Sequence, residues 1–186
     1  MRDRLALLRG SVYTFWCRNF NRNVTIGSGL RIYKKLRVKA RGKVIIGNNC
    51  IVDGIIGDNS HYVCIDSFDH ATIVSIGSNV RLFAARIGAK YQITIGDEVL
   101  IEESGIIDTD FHSINKGRGY PSDENREKCK VSIGNRVSIG ARSIITKGVT
   151  IGDDAIISPG SVVTASVKPG SIVCGNPARP FQGTTP

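Results

Sequence analysis

The segment Asp108-Thr109-Asp110-Phe111-His112 holds the side chains of this 186-residue chain that are best suited to acid–base chemistry. Histidine titrates near neutral pH, so His112 could take a proton from an attacking hydroxyl. A nearby carboxylate, from Asp108 or Asp110, could hold the imidazole in one tautomer and stabilise its charged form. A surface histidine beside solvated acids is the alternative, and the segment alone does not decide between the two.

Other kinds of catalytic site lack a comparable motif. His61 and His70 are nine residues apart, without the close spacing typical of zinc ligands, so we expect no metal site. The sequence contains neither a GxSxG motif nor a phosphate-binding GxxxxGK[ST] loop. Its five cysteines include no CxxC pair, which argues against a disulfide framework and favours a reducing cytoplasm.

Positive charge is concentrated at the N-terminal end. Residues 1–49 contain 12 Lys or Arg against the single acid Asp3, a net of +11, whereas the remaining 13 basic and 15 acidic residues give −2. Such asymmetry indicates either an anionic partner, such as nucleic acid, acidic lipid or an acidic glycan, or a solvated rim. Nucleic acid is not expected, because no motif supplies an aromatic stacking platform.

The distribution of apolar residues also indicates the cellular compartment. No apolar run reaches the length of a spanning helix, and the first residues lack the features of a signal peptide. We therefore expect a cytoplasmic protein, with a peripheral contact at the inner membrane as an option.

An aliphatic residue recurs every six positions through much of the chain. A period of six is a multiple of two, so the marked side chain always returns to the same face of a strand. Three such faces close a triangular turn of 18 residues, and stacked turns pair as parallel strands. The repeat predicts an all-β, left-handed parallel β-helix over residues 23–175. The marked positions are Ile133, Ile139, Ile145, Ile151, Ile157 and Val163, with Ile95, Ile101 and Ile107, and Ile26, Ile32, Val38 and Val44, in earlier runs.

Residues 1–22 are predicted to form a helical segment that is rich in basic side chains. Its helix could cap the open end of the first turn, whose strand edges would otherwise be unpaired. It could equally rest on an acidic membrane surface, and the two roles are compatible. The apolar side chains expected on one side of this helix are Leu5, Leu8, Val12 and Phe15 or Trp16.

Two segments are predicted to stand outside the repeat. The polar stretch 109–130 interrupts it, and a loop of that length in a compact domain is typically functional. Residues 176–186 follow the last repeat and are predicted to form a C-terminal tail.

Five motifs occur in a fixed order over residues 90–180. In this combination the chain resembles the hexapeptide-repeat acetyltransferases, in the branch that O-acetylates sugars and polysaccharide units. Two positions depart from the family pattern, since Ser138 stands where Trp is frequent and Ala165 where Lys or Arg is usual. The motifs are DTDFH (108–112), VSIGNRVSIGA (131–141), GVTIG (148–152), GSVVT (160–164) and GNPAR (175–179).

The resemblance implies acetyl transfer from acetyl-CoA to a hydroxyl by direct attack. His112 would be the general base, and Asp110 or Asp108 its orienting partner. The developing oxyanion would be stabilised by a backbone amide, that of Ala141.

The resemblance also implies how the substrates are held. Acetyl-CoA, the donor substrate, would lie along a groove beside the C-terminal coils, and a saccharide would be the acceptor. A homotrimer with sites between subunits is expected, because a flat β-helix face has no deep pocket. The candidate cofactor contacts are Gly140, Ala141, Lys147, Thr164 and Arg179.

Two other functions remain open from the sequence. One is N-acetylation of an amino sugar or sugar nucleotide, and the other is a non-catalytic β-helix scaffold. A panel of acceptors would separate the two transfer reactions, and failure to bind coenzyme A would favour the scaffold.

Overall fold

The structure, a computed structural model, describes residues 1–55, 60–112 and 125–181. A helix, α1 (Arg2–Phe20), precedes a stack of six three-stranded coils. The strands of the first three coils are β1 (Val24–Ile26), β2 (Arg31–Ile32) and β3 (Leu36–Ala40); β4 (Lys43–Ile46), β5 (Ile51–Asp53) and β6 (Val63–Ser67); and β7 (Ile73–Ile76), β8 (Arg81–Phe83) and β9 (Arg86–Ala89).

The remaining coils follow the same plan. Coil 4 contains β10 (Gln92–Ile95), β11 (Leu100–Glu102) and β12 (Gly105–Ile107), and the short helix α2 (Arg126–Cys129) leads into coil 5. Coils 5 and 6 contain β13 (Val131–Ile133), β14 (Ser138–Ile139) and β15 (Ile144–Ile145), then β16 (Thr150–Ile151), β17 (Ile156–Ile157) and β18 (Val162–Val163). The strands β19 (Ile172–Gly175) and β20 (Ala178–Pro180) end the described chain.

Each coil contributes one strand to each of three sheets. The first strands of the coils form sheet A, the second strands form sheet B with β19 and β20, and the third strands form sheet C. Every strand pairs in parallel with its counterpart in the next coil, as where Ile95 lies opposite Ile133 and Ile133 opposite Ile151. The aliphatic ladder of coils 5 and 6 is buried, and each such isoleucine contributes about 2–3 kcal/mol. The predicted left-handed parallel β-helix is confirmed.

The six-residue step fails at one predicted position. Ile101 is buried, but the corner that follows it is one residue shorter than expected, so Ile106 is buried and Ile107 faces outward. Because side chains alternate along a strand, this shift of one residue also reverses the direction of the residues that follow β12. The prediction that Ile107 belongs to the inner ladder is therefore wrong.

Helix α1 lies on the open edge of coil 1, against β1 and β2. It packs through Ala6, Gly10 and Cys17, and a Cβ on Gly10 would overlap the carbonyl oxygen of Leu30. The apolar side predicted from the sequence is exposed rather than packed into coil 1. Among the described residues, no helix is both long and apolar enough to cross a lipid bilayer.

Each of the two segments predicted to stand outside the repeat contains a short element of regular structure. Residues 113–124 of the predicted loop lie outside the described residues, and α2 forms the last part of the stretch 109–130. The predicted tail begins as a strand, because β20 pairs antiparallel with β19 and places Arg179 opposite Cys174. Residues 178–180 therefore extend sheet B.

Candidate active site

The DTDFH segment leaves sheet C directly after β12, at the corner that leads to the next coil. The N–H of His112 donates to the carbonyl of Asp110 at 2.7 Å, which closes a three-residue γ-turn around Phe111. Phe111 has a φ of +61°, a left-handed conformation that is costly for a bulky residue. Its ring packs edge-on against Phe68, with centroids 5.1 Å apart. Backbone strain of this kind is concentrated at functional sites, and this turn directly precedes the exposed His112.

The imidazole of His112 is exposed at the edge of sheet C. Within residues 1–55, 60–112 and 125–181 it makes no hydrogen bond or ion pair, and neither Asp108 nor Asp110 contacts it. The ring is therefore accessible to a substrate, and the predicted orienting contact is not formed in this state. Catalytic hydrogen bonds often tighten only when the substrate is bound.

Asp108 has a different task from the predicted one. Its side chain is fully buried, because it follows inward-facing Ile106 by two residues. Its Oδ1 accepts the N–H of Lys90 at 2.7 Å, and its Oδ2 accepts those of Tyr91 and Gln92 at 2.8 and 2.6 Å. The carboxylate thus ties the end of coil 4 to the corner between coils 3 and 4. These three bonds support a structural role for Asp108, and its role as the partner of His112 stays a prediction.

We expect Asp108→Ala to lower the free energy of unfolding by about 4 kcal/mol, because three buried N–H groups lose a charged acceptor. Urea unfolding at fixed protein concentration measures the change. Asp110→Ala is the matched control, and we expect it to cost less than about 1 kcal/mol because its ion pair is partly exposed. Equal losses in the two variants would contradict the structural role of Asp108.

Asp110 lies at the same corner and is ion-paired. Its Oδ2 contacts Nζ of Lys147 at 2.5 Å, with the two side chains about one-third exposed. Lys147 follows β15 in the next coil, so the stacking of coils 4 and 5 brings the pair together. Thr164 follows β18 one coil further on and is exposed. Lys147 and Thr164, predicted as cofactor contacts, therefore lie on the same side of sheet C as His112.

Gly140 and Ala141 lie at the opposite edge of sheet C, at the corner after sheet B. The carbonyl of Gly140 accepts the hydroxyl of buried Ser104 at 2.9 Å. In a trans peptide the C=O and the following N–H point in opposite directions, so the N–H of Ala141 points outward. In the described part of the chain this N–H has no acceptor, and it is the next residue, Arg142, whose N–H donates to the preceding coil, at the carbonyl of Glu103 (3.1 Å). Ala141 therefore presents an unused amide donor.

Arg179 lies on the same side of sheet C as Ala141. Ala141 follows β14, and in sheet B this strand is followed by β17, β19 and then β20, which contains Arg179. Its guanidinium is exposed and donates to the carbonyl of Ala178 at 3.0 Å. A cation at this position is available to an anionic ligand that lies along the C-terminal coils.

The predicted site residues thus form two groups on one chain. One group holds His112, Asp110, Lys147 and Thr164, and the other holds the amide of Ala141 with Arg179. A strand of sheet C and its corners separate them, a distance of roughly 10–15 Å at 3.3 Å per residue. Groups so far apart do not act on the same pair of reacting atoms within a single chain.

A depression in the outer face of sheet C lies beside Phe111, the residue before His112, and the sequence analysis missed it. Gly88 and Gly105 occupy outward positions of β9 and β12, where a Cβ on Gly105 would meet nothing within 4 Å. The depression has a volume of 430 Å³ and is bordered by Phe111 and Arg86. Two glycines at outward positions of neighbouring strands are the signal that could have revealed it, once the correct register was known.

A charged cluster forms the far wall of this depression. Nη2 of Arg37 donates to Sγ of Cys64 at 2.6 Å and to Oδ2 of Asp66 at 2.9 Å. Burial raises the pKa of the Cys64 thiol, which keeps it protonated and able to donate to Asp66 at 3.3 Å. Arg86 is exposed and has no ion-pair partner among the described residues. The depression therefore carries a net positive charge.

The other two histidines do not join these groups. Nε2 of His61 lies 3.7 Å from Oε1 of Glu103, and His70 is exposed. Across the residues that the structure describes, no three histidine, cysteine or acidic side chains converge as metal ligands do.

One protein-family model matches the repeat, and several known proteins match longer or shorter parts of the chain. The family model "Hexapeptide repeat of succinyl-transferase" matches residues 130–165. Galactoside O-acetyltransferase of Escherichia coli (strain K12) is 32% identical over 127 residues, which are 67% of this chain and 61% of that protein. Chloramphenicol acetyltransferase of Agrobacterium fabrum is 51% identical over 50 residues, or 27% and 24% of the two chains. The chain thus spans less than two thirds of the length of these relatives.

Solved structures share the fold. The polysialic acid O-acetyltransferase OatWY superposes with a TM-score of 0.66 and 23% identity, over 85% of this chain and 72% of that one. A galactoside acetyltransferase in complex with coenzyme A superposes with a TM-score of 0.51 and 20% identity, over 96% of this chain and 80% of that one. AntD, an N-acyltransferase from Bacillus cereus, superposes with a TM-score of 0.60 and 22% identity, over 87% of this chain and 83% of that one. The chain is therefore similar to hexapeptide-repeat acetyltransferases, in sequence over the matched repeat and in the fold of its six stacked coils.

Proposed function

We propose that this protein transfers an acetyl group from acetyl-CoA to a hydroxyl of a saccharide. The observation that carries the proposal is the strained turn at Phe111, because Phe111 borders the depression and the next residue, His112, is exposed. The galactoside O-acetyltransferase relative and the polysialic acid O-acetyltransferase neighbour support a sugar acceptor.

The transfer is a direct displacement at the thioester. The acceptor oxygen attacks the acetyl carbonyl carbon while His112 takes the hydroxyl proton, so a C–O bond forms as the oxyanion develops. The outward N–H of Ala141 donates to that oxyanion. The intermediate then collapses, the C–S bond breaks, and the coenzyme A thiolate leaves and accepts a proton. Asp110, held by Lys147, stabilises the imidazolium formed on His112.

The two groups of site residues act together only if two chains meet. We infer that His112 of one chain faces Ala141 of a neighbouring chain, in a homotrimer with sites between subunits. Acetyl-CoA then lies along the C-terminal coils, where Arg179 supplies a cation that Ala165 does not. Thr164 lies beside the same coils and is a candidate polar contact.

The depression in sheet C fits an acceptor that carries a carboxylate. Its glycine floor admits a flat ring, and the exposed guanidinium of Arg86 is free to bind an anion. Phe111 offers an apolar ring at the edge nearest to His112. We infer that an acidic saccharide of a bacterial glycan, or its precursor, is the acceptor class.

An acceptor panel with acetyl-CoA tests the reaction, with thiol release and product mass as readouts. We expect transfer to hydroxyl acceptors, and a KM for carboxylate-bearing saccharides that Arg86→Ala raises about tenfold or more through loss of a charged hydrogen bond. The KM for acetyl-CoA should not change. Arg81→Ala removes an exposed arginine of the same coil from sheet B and should have no effect.

Other results of this panel point to other functions. Transfer to amino sugars alone would replace the proposal with N-acetylation, the reaction class of the neighbour AntD. Absence of both transfer and coenzyme A binding would leave a non-catalytic scaffold.

A further inference from the structure

An apolar stripe runs along the exposed side of α1, and its members Leu8 and Val12 border an open groove beside coil 1. At about 100° per residue, the spacings of three and four place its members on one side of the helix. The buried residues Ala6, Gly10 and Cys17 lie on the opposite side, against coil 1. The helix is therefore apolar on two faces, and among the described residues only the face against coil 1 is buried. The stripe consists of Leu5, Leu8, Val12 and Phe15, with exposed fractions of 47%, 59%, 61% and 67%.

Arginines flank this stripe on both sides. Arg4 and Arg18 lie along one border and Arg2 and Arg9 along the other, and all four are exposed. The helix has a single acid, Asp3, whose Oδ1 accepts the Tyr33 hydroxyl at 2.6 Å. The apolar stripe thus has a cationic border, within the part of the chain that carries a net charge of +11.

An aromatic row and a cavity continue the same surface. The rings of Tyr13, Trp16 and Phe20 follow one another with centroid distances of 6.1 and 6.5 Å. A cavity of 810 Å³ lies between α1 and coil 1, lined by Val12 and Trp16 and bordered by Lys34 and Lys35. Tryptophan and tyrosine are favoured at the boundary between lipid headgroups and acyl chains.

The charge pattern decides which partner fits. Two copies of this face would bring arginine borders of like charge together, which opposes self-association. A partner must instead be apolar at its centre and negatively charged around it. The surface of an acidic phospholipid bilayer has both properties, and basic helices with an apolar face lie in its plane.

We propose that α1 docks the capped end of the β-helix onto acidic phospholipid membranes. The apolar stripe enters the headgroup boundary, and Arg4 and Arg18 contact lipid phosphates. Arg2 and Arg9 contact coil 1 instead, at Asp53 (3.6 Å) and at the carbonyl of Tyr33 (3.3 Å). The helix then has two roles, since one face closes coil 1 and the other binds lipid. The binding does not depend on acyl transfer.

Vesicle binding tests this proposal, and Trp16 reports it directly because the chain contains one tryptophan. Vesicles of phosphatidylcholine and phosphatidylglycerol in equal amounts should shift its emission to the blue and sediment the protein. Phosphatidylcholine alone should do neither, and added salt should reverse the binding. No shift and no sedimentation with either vesicle would overturn the proposal.

Matched variants separate the two components of binding. Arg4→Gln with Arg18→Gln should weaken binding about thirtyfold, since each cation near an acidic surface contributes about fivefold. Arg81→Gln with Lys168→Gln removes the same charge from elsewhere and should leave binding unchanged. Phe15→Ser should weaken binding about tenfold, whereas Ile45→Ser, an exposed isoleucine of sheet A, should not.

Self-association through the stripe is the competing outcome. Sedimentation velocity would detect it as a loss of oligomers in Phe15→Ser but not in Ile45→Ser. That result, together with equal vesicle binding by the two variants, would assign the stripe to contacts between copies and refute lipid docking.

Discussion

Replacing His112 with alanine is expected to lower kcat for the proposed acetyl transfer by about 10²–10⁴-fold, because the described residues at this corner include no other imidazole to take the hydroxyl proton. Initial rates of thiol release at saturating acetyl-CoA and acceptor measure the loss. Binding of coenzyme A should be retained, since the proposed mechanism assigns the imidazole to the acceptor. The far-ultraviolet circular dichroism of the variant should match that of the wild type, because the His112 side chain is exposed.

His70→Ala is the control for this substitution. His70 is an exposed histidine on the corner after sheet C two coils earlier, and its removal should leave kcat unchanged. Asp110→Asn should cause an intermediate loss, because it removes the charge that stabilises the imidazolium but leaves the base in place. Full activity of His112→Ala would remove the chemical basis of the proposed function.

Replacing Ala141 with proline is expected to lower kcat by about 10²–10³-fold, because proline has no N–H to donate to the oxyanion. The next coil shows that this corner accepts the substitution. Sheet B pairs Ile139 with Ile157, so Ala141 is equivalent to Pro159 in coil 6. Ala141→Gly keeps the N–H and is the control, which we expect to retain most of the activity. Rates of thiol release, with thermal unfolding of both variants, measure the effect.

Mixing the two inactive variants tests whether the site lies between chains. If His112 of one chain faces Ala141 of another, trimers refolded from both variants contain an interface with both groups intact and regain part of the activity. If both groups act within one chain, every site in a mixed trimer lacks one of them and no activity returns. The second result would contradict the interfacial site, while leaving the roles of the two residues in place.

Much of the fold was predictable because the pattern that encodes it is local and repeated. An aliphatic side chain every six residues indicates strands that return to the same face, and burial of Ile133, Ile139 and Ile145 follows directly from that period. The corner that carries His112 was also identifiable, because the repeat is interrupted there. The helix at residues 2–20 followed from its composition and spacing, although its orientation did not.

The register after Ile101 is where sequence reasoning failed. A step of six assigns Ile107 to the interior, but the shorter corner places Ile106 there. With that shift Asp108 turns inward to three backbone amides, and the depression at Gly88 and Gly105 opens on the outside. A corner length depends on how one coil stacks on the next, which the period alone does not specify.

By itself the sequence determined the β-helical coil, the corner where the repeat is interrupted and the histidine at that corner, because each depends on residues that are close together in the chain. Only the tertiary structure decided which of the two acids, Asp108 or Asp110, faces the interior, that the N–H of Ala141 points outward, and that the apolar side of α1 stays exposed. Each of these depends on groups that are distant in the chain, such as Ser104 beneath Gly140 and Leu30 beneath Gly10. The direction of a side chain or an amide is set by whatever packs behind it, and stacking of the coils supplies that contact.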